Sequence, residues 1–322
     1  MKDTTYKRLF FICKVKYLIR KATRKIKRKL SVKSNPKSTK FGKSFLDIYD
    51  VQCKIFDLIT SNEPFMVGRM GGVEGAAVLA AIQVKKGWKK SIDETIANNA
   101  YINAGFFPPT CDKLMAFSDL MEDSLKQVDI LGSMSTNDEE FLVRMNASDT
   151  CILTNIGNLE PYYCDVPWTK ALKGKKVLVI YPFADTIYNQ YQKREKLFEN
   201  PDILPEFDLK VMKAVQSIAG TKTEFKDWFE ALDYMFTQAM MIDFDIAIIG
   251  CGAYGFPLAA KLKQAGKQAI HLGGATQILF GIKGDRWEHI PAVKNLFNEY
   301  WVRPSAEETP KGANKVEGGC YW

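Results

Sequence analysis

The order of apolar and polar positions divides the chain into segments of two periods. Short runs of β-branched and apolar residues at 65–67, 177–181, 246–249 and 269–272 have the composition of strands buried on both faces. Between them, apolar residues recur at steps of three and four. This spacing predicts helices over 45–59 (Ile48, Val51, Ile55, Leu58, Ile59), 73–82 and 226–240, and another carrying Leu258, Ala259, Leu262 and Ala265 up to a C-cap at Gly266. Weaker signals predict helices within 91–130 around a loop at 105–109. They also predict strands at 130–131 and 151–155 with a helix at 139–145 between them, and a helical turn at 168–172. A helix N-capped by Asp185 or Thr186 follows, then a loop over 199–210 around one strand, and a last helix over 287–300. The strands at 65, 177 and 246 each lead through a Gly or Pro loop into a helix. Right-handed crossovers then place those loops along one edge of a single sheet. The expectation is an α/β fold, a Rossmann-like, doubly wound, mostly parallel sheet with flanking helices. It spans 41–302 as one domain, after an N-terminal segment 1–40 and before a Gly/Pro-rich, weakly specified tail at 303–322.

The first segment has a pattern of its own. Phe11, Val15, Leu18, Ala22, Ile26 and Leu30 share one stripe of a helix over 6–30, and Lys and Arg fill much of the remainder. Residues 1–40 carry fifteen Lys and Arg against one acid, Asp3. The chain's net charge of +8 therefore leaves −6 on residues 41–322. Such a helix suits an anionic membrane surface. A solvated tail and a nucleic-acid arm are the other readings; the acidic body, with no second basic surface, argues against nucleic acid. Residues 31–40 read as a polar linker. No run approaches the roughly 20 apolar residues a spanning helix needs. Seven scattered cysteines without a CxxC or Cys/His cluster indicate neither a zinc site nor a disulfide framework. These features predict a cytoplasmic protein, peripheral on the inner face of the cell membrane.

Candidate chemistry gathers at the strand ends. Gly250, Gly252 and Gly255 fit G-x-G-x-x-G between a strand and a helix, and Gly273 and Gly274 end the next strand. Glycines there let backbone approach a phosphate. A dinucleotide site would want an acid at the end of the second strand; His271 stands there instead. Cys251 reads as a small buried residue rather than a nucleophile. Arg69 after the strand at 65 suits a diphosphate, or pairs with a carboxylate. Glu74 suits a proton acceptor or metal ligand, or simply favours a helix start. Lys283, Arg286 and Trp287 offer cations and a ring, and His271 faces a ligand or is structural. Asn155, Asn158, Glu160 and Tyr162 cluster after one strand end, and Tyr181, Asp185 and Arg194 after another.

Two stretches carry a family likeness. GRMGGVEG at 68–75 resembles the R-[aromatic]-G-D-G-E signature of bacterial glycosyltransferases with the GT-D fold. IGCGAYGFPLAAKLKQAGKQAIHLGG at 249–274 is similar to the late segment of that family, and the likeness is greatest to its capsule and lipopolysaccharide biosynthesis branch. The resemblance covers about 41–290. It implies a GT-D-like sheet and transfer of a sugar from a nucleotide-diphosphate donor, such as a UDP-sugar, to a glycan or lipid-linked acceptor in surface polysaccharide biosynthesis. By it, Arg69 with Gly71, Gly72, Gly250, Gly252, Gly255, Gly273 and Gly274 would hold the diphosphate. Glu74 would act as base or metal ligand, and His271, Lys283 and Arg286 would hold donor or acceptor. The signature's Asp and Glu are associated with Mn or Mg; Arg69, Gly71 and Glu74 match, but Gly72 stands where the Asp belongs. That change favours a catalytically silent nucleotide- or glycan-binding subunit as the second reading, ahead of a dinucleotide-dependent oxidoreductase.

Overall fold

A two-residue antiparallel hairpin, β1 (Thr39–Lys40) and β2 (Lys43–Ser44), opens the body of the computed structural model, which describes residues 3–30 and 39–322. Seven strands follow: β3 (Phe65–Gly68), β4 (Ile130–Ser133), β5 (Ile152–Asn155), β6 (Lys176–Tyr181), β7 (Asp208–Lys213), β8 (Ile246–Ile249) and β9 (Gln268–His271). They form one sheet in the order β5-β4-β3-β9-β8-β6-β7, with every adjacent pair parallel. β3 leads outward to β4 and β5. The chain then crosses to the other half, lays down β6 and β7, and returns inward through β8 and β9, so that β9 closes on β3. This is a Rossmann-like doubly wound sheet.

The longer helices are α1 (Asp3–Leu30), α2 (Ile48–Ser61), α3 (Gly72–Lys85), α4 (Glu94–Ala104), α5 (Cys111–Gln127), α6 (Asn137–Asn146), α7 (Ala184–Tyr191), α8 (Trp228–Met240) and α9 (Gly255–Gln264). Side chains alternate across the sheet, and both faces are covered. Met66, Leu131, Leu178 and Ile249 join the core under α3, α5, α8 and α9. Val67, Ile130, Val179, Ile248 and Ile270 join the core under α2, α7 and the last quarter of the chain. Register matches Val67 to Ile130 and Ile270, and Ile248 to Val179 and Ile270, so this second face is a continuous apolar layer.

Four expectations change. The strand placed within 199–210 lies later, at Asp208–Lys213. The helix expected over 287–300 is two short ones, Asp285–Glu288 and Pro291–Lys294. Pro291 lacks an N–H and holds Ile290 extended (φ −105°, ψ 103°), which breaks the helix. α7 is capped by neither Asp185 nor Thr186. Its orphan Asp185 and Thr186 amides donate to the Glu308 carboxylate at 3.0 and 3.2 Å. The region beyond residue 303, read as weakly specified, is therefore tied to the sheet.

α1 is the helix expected over 6–30, and its stripe of Phe11, Val15 and Leu18 faces outward; it packs on the body through a second set, Tyr6, Leu9, Phe10 and Cys13. Ala22, Ile26 and Leu30 fall where side chains are not described, and most of the linker read at 31–40 lies outside the described residues. Among the described residues, no helix is long and apolar enough to cross a membrane.

Candidate functional site

β3 ends at Gly68, where the absent side chain makes room for the Phe256 ring; a Cβ there would lie 3.2 Å from it. The chain then presents Arg69. Its Nη1 donates to Glu160 Oε1 at 3.0 Å, and Glu160 Oε2 accepts from the Tyr162 hydroxyl at 2.6 Å. The side chains of Arg69 and Glu160 are only 15% and 9% exposed. A charge buried this far must be paired, and the pairing fixes the guanidinium plane. One edge of Arg69 is thus held by the cluster after β5. Its Nε edge lies against Gly273, whose missing Cβ would sit 3.2 Å away. The two readings of Arg69 are compatible: it pairs with a carboxylate and still faces the ligand edge.

α3 starts at Gly71 with no side-chain cap. Glu74 stands in its first turn, and its carboxylate folds back over Gly71, where a Cβ would fall 2.0 Å from Oε2. Burial raises the Glu74 pKa above the usual carboxylate range, and the Glu317 carboxylate adds to the rise against its own backbone N–H and Arg69.

The turns after β8 and β9 touch each other. A Cβ on Gly250 would meet the Gly273 carbonyl oxygen at 2.3 Å and the Tyr181 ring at 2.6 Å. A Cβ on Gly255 would meet the His271 ring at 2.1 Å, so this glycine seats the imidazole against the start of α9. His271 Nδ1 lies 3.2 Å from the Ile249 carbonyl oxygen. A carbonyl can only accept, so Nδ1 carries the proton and Nε2 is a bare acceptor. Burial, then Arg69, holds the His271 pKa down to about 3, and the ring is neutral. Burial also pushes the Cys251 thiol up, leaving no thiolate nucleophile.

These turns enclose a cavity of about 470 Å³. All seven strands deliver residues to it from their carboxyl ends. Arg69 follows β3, Met134 β4, Ile156 β5, Tyr181 closes β6, Val215 follows β7, Gly250 β8, and His271 closes β9. Of the expected site residues, Arg69, Gly71, Gly72, Glu74, Gly250, Gly252, His271, Gly273, Gly274 and Arg286 line it. Gly255 stands behind His271. Lys283 is not in the lining; its Nζ sits 5.6 Å over the Phe297 ring, and Trp287 is buried.

The lining residues that the sequence pattern did not mark include Glu317, Tyr321 and Asn103. Glu317 pairs with Arg286, and the Tyr321 ring lies 4.9 Å from the same guanidinium. Tyr321 also fills the space that Gly274 leaves, where a Cβ would be 2.5 Å from Cε1. Gly274 therefore seats a ring rather than standing open as a bare backbone cradle. Asn103, at the end of α4, lines the cavity, and its Oδ1 is buried without a hydrogen-bond partner among the described residues. The opposite wall is rigid: Tyr254 stacks on Trp228 at 4.8 Å and its hydroxyl bonds Ser217 at 2.8 Å.

The arrangement suits an anion. α3 begins at the cavity with no side-chain cap on Gly71, so the positive end of its dipole is directed at it. α9 begins behind His271: the Gly255 N–H is taken by the Gly252 carbonyl, and Pro257 has none. Arg69, Arg286 and the Glu74 carboxyl line the same cavity.

No protein-family model matches the chain, and no curated protein does. Two solved structures are similar to it. One is described by the statement that the highly conserved domain of unknown function 1792 has a distinct glycosyltransferase fold; it is 14% identical with a TM-score of 0.40, over 72% of this chain and 79% of that one. The other is a selenomethionine-substituted structure of domain of unknown function 1792, 15% identical with a TM-score of 0.41, over 73% and 79%.

Proposed function

We propose that the chain transfers a glycosyl group from a nucleoside-diphosphate donor to an acceptor hydroxyl. The observation that carries this reading is the meeting of Arg69, Arg286 and the uncapped start of α3 in one cavity of about 470 Å³, a size suited to a small-molecule ligand. The likeness of 68–75 and 249–274 to the glycosyltransferase signature points to the same chemistry.

In the transfer, the bond between the anomeric carbon and the diphosphate oxygen breaks, and its electron pair leaves on the diphosphate. Arg69, Arg286 and the first backbone N–H groups of α3 stabilise that charge. The acceptor oxygen bonds the anomeric carbon and gives up its proton. Glu74 takes it, since burial has made this carboxylate a stronger base than an exposed one. Neutral His271 offers Nε2 to a hydroxyl of donor or acceptor, and Asn103 Oδ1 offers another acceptor. Glu160 and Tyr162 act through Arg69 as positioning residues.

A divalent cation is given no part in this step. Position 72, a glycine, supplies no carboxylate beside Glu74. Among the described residues, no three His, Cys, Asp or Glu side chains gather as a metal set. The charged neighbours of Glu74 are the Glu317 carboxylate and the Arg69 guanidinium, and no step is routed through a metal.

The test is a panel of nucleotide sugars, with release of nucleoside diphosphate and thermal stabilisation both measured. At least one donor should raise the Tm and release its diphosphate when an acceptor is added. A panel in which none binds overturns the reading. Binding with no turnover would favour the silent binding subunit, for which the glycine at 72 is the specific observation.

A further inference from the structure

α1 is apolar on two opposite sides, and only one of them is used. The inner side packs Tyr6 and Phe10 onto Phe141 of α6, with ring centroids 6.2 and 5.6 Å apart, and buries Cys13 completely. Lys86 Nζ, just past α3, lies 4.4 Å over the Tyr6 ring. This side fixes the helix to the body, so α1 is not a loose arm. The outer side carries Phe11, Val15, Leu18 and Ile19, which are 67%, 38%, 56% and 56% exposed. At 100° per residue these four fall within an arc of about 100°, roughly one quadrant of the helix, almost opposite Tyr6, Cys13 and Tyr17. Exposing large apolar side chains side by side is unfavourable in water, and Phe11 and Leu18 are more than half exposed.

The flanks of that quadrant say what would cover them. Lys14 and Lys16, both exposed, stand on either side of it, and Arg8 lies within it. Residues 1–40 hold fifteen basic residues against Asp3, while the rest of the chain is net acidic. A second copy of this helix would bring like charges together along the same contact. A nucleic acid would match the charge but leave Phe11, Leu18 and Ile19 in water. An anionic bilayer surface satisfies both, with acyl chains for the apolar quadrant and headgroups for the cations.

We infer that the outer side of α1 lies in the surface of an anionic membrane, with Phe11, Val15, Leu18 and Ile19 in the interfacial layer, Lys14 and Lys16 on headgroups, and the inner side holding the body at that surface. The inference is independent of the transfer reaction.

The test is co-sedimentation of the full chain with vesicles of phosphatidylcholine alone and of phosphatidylcholine mixed equally with phosphatidylglycerol. The full chain should bind the mixed vesicles and not the neutral ones. The double variant Phe11→Glu/Leu18→Glu should bind about tenfold or more weakly, since it removes two interfacial anchors. Lys14→Glu/Lys16→Glu should weaken binding comparably. Both pairs are exposed, so an unchanged melting temperature checks the fold. Equal binding to neutral vesicles, absence of vesicle binding, or loss on charge reversal with indifference to Phe11 and Leu18 would each overturn the inference. So would a full chain that is dimeric in solution and becomes monomeric on Phe11→Glu/Leu18→Glu.

Discussion

Arg69 and Arg286 reach the cavity by different means, and the difference matters for variants. Arg69 is clamped by buried Glu160, so removing it alone strands a carboxylate in low dielectric. Arg286 pairs with Glu317, which is half exposed and far easier to displace. Glu74 makes the sharpest residue-scale prediction. Its raised pKa means the folded chain holds this proton more tightly than the unfolded chain does. As a base it must lose the proton, so kcat should fall toward low pH through a value above the usual glutamate range. Glu74→Gln should lower kcat by about 10²–10⁴ and remove that acid limb. Linkage adds a stability readout. Because the folded pKa is raised, Glu74 costs stability as pH rises from the ordinary glutamate value through its raised one. The Tm gap between Glu74→Gln and wild type should therefore favour the variant more at neutral pH than at pH about 4. A variant with full activity, or with the same acid limb, would remove Glu74 from the proton transfer.

At the scale of elements, the glycine turns separate into different kinds. Gly250 faces a backbone carbonyl and a buried ring, neither of which yields easily. Gly250→Ala should destabilise by about 3 kcal/mol by overpacking. Gly72, at the exposed first turn of α3, meets nothing within 4 Å, and Gly72→Ala should be neutral or stabilise by about 0.5 kcal/mol. Urea denaturation of both variants checks the pair, and equal effects would contradict this reading of the turns. The sequence shows both glycines alike, because a strand–Gly–helix pattern reports where a turn is and not what presses on it. The strands themselves were legible because a run such as 177–181 is apolar at every position and flanked by turn residues. The last helix was misread because Pro291 was outweighed by the apolar residues around it. The α1 stripe was found, but the second stripe through Tyr6, Leu9, Phe10 and Cys13 was not, since one helix rarely buries two.

Across the whole molecule, the site is a property of sheet order. β3 and β9 lie side by side although some 200 residues separate them, and this brings Arg69 against Gly273. The local pattern placed Arg69, Glu74, Gly250 and His271 on a common edge because each follows or ends a strand. It could not place Asn103, Glu317 or Tyr321. Asn103 ends a helix, and the other two return from the far end of the chain through long-range contacts that no local period encodes. Lys283 failed for the converse reason: near a strand end in sequence, it turns onto Phe297. The charge division follows the same architecture, with a basic helix on one side and a mildly acidic body that places Arg69 and Arg286 at the cavity.

The most direct measurement of the central claim is calorimetric titration of UDP into the wild type, into Glu160→Gln, and into Arg69→Ala/Glu160→Gln, where the second substitution avoids stranding a buried charge. The double variant should remain folded and bind about 10- to 100-fold more weakly than Glu160→Gln, the loss of charge-assisted hydrogen bonds to a diphosphate. An affinity unchanged by removing Arg69 would contradict it.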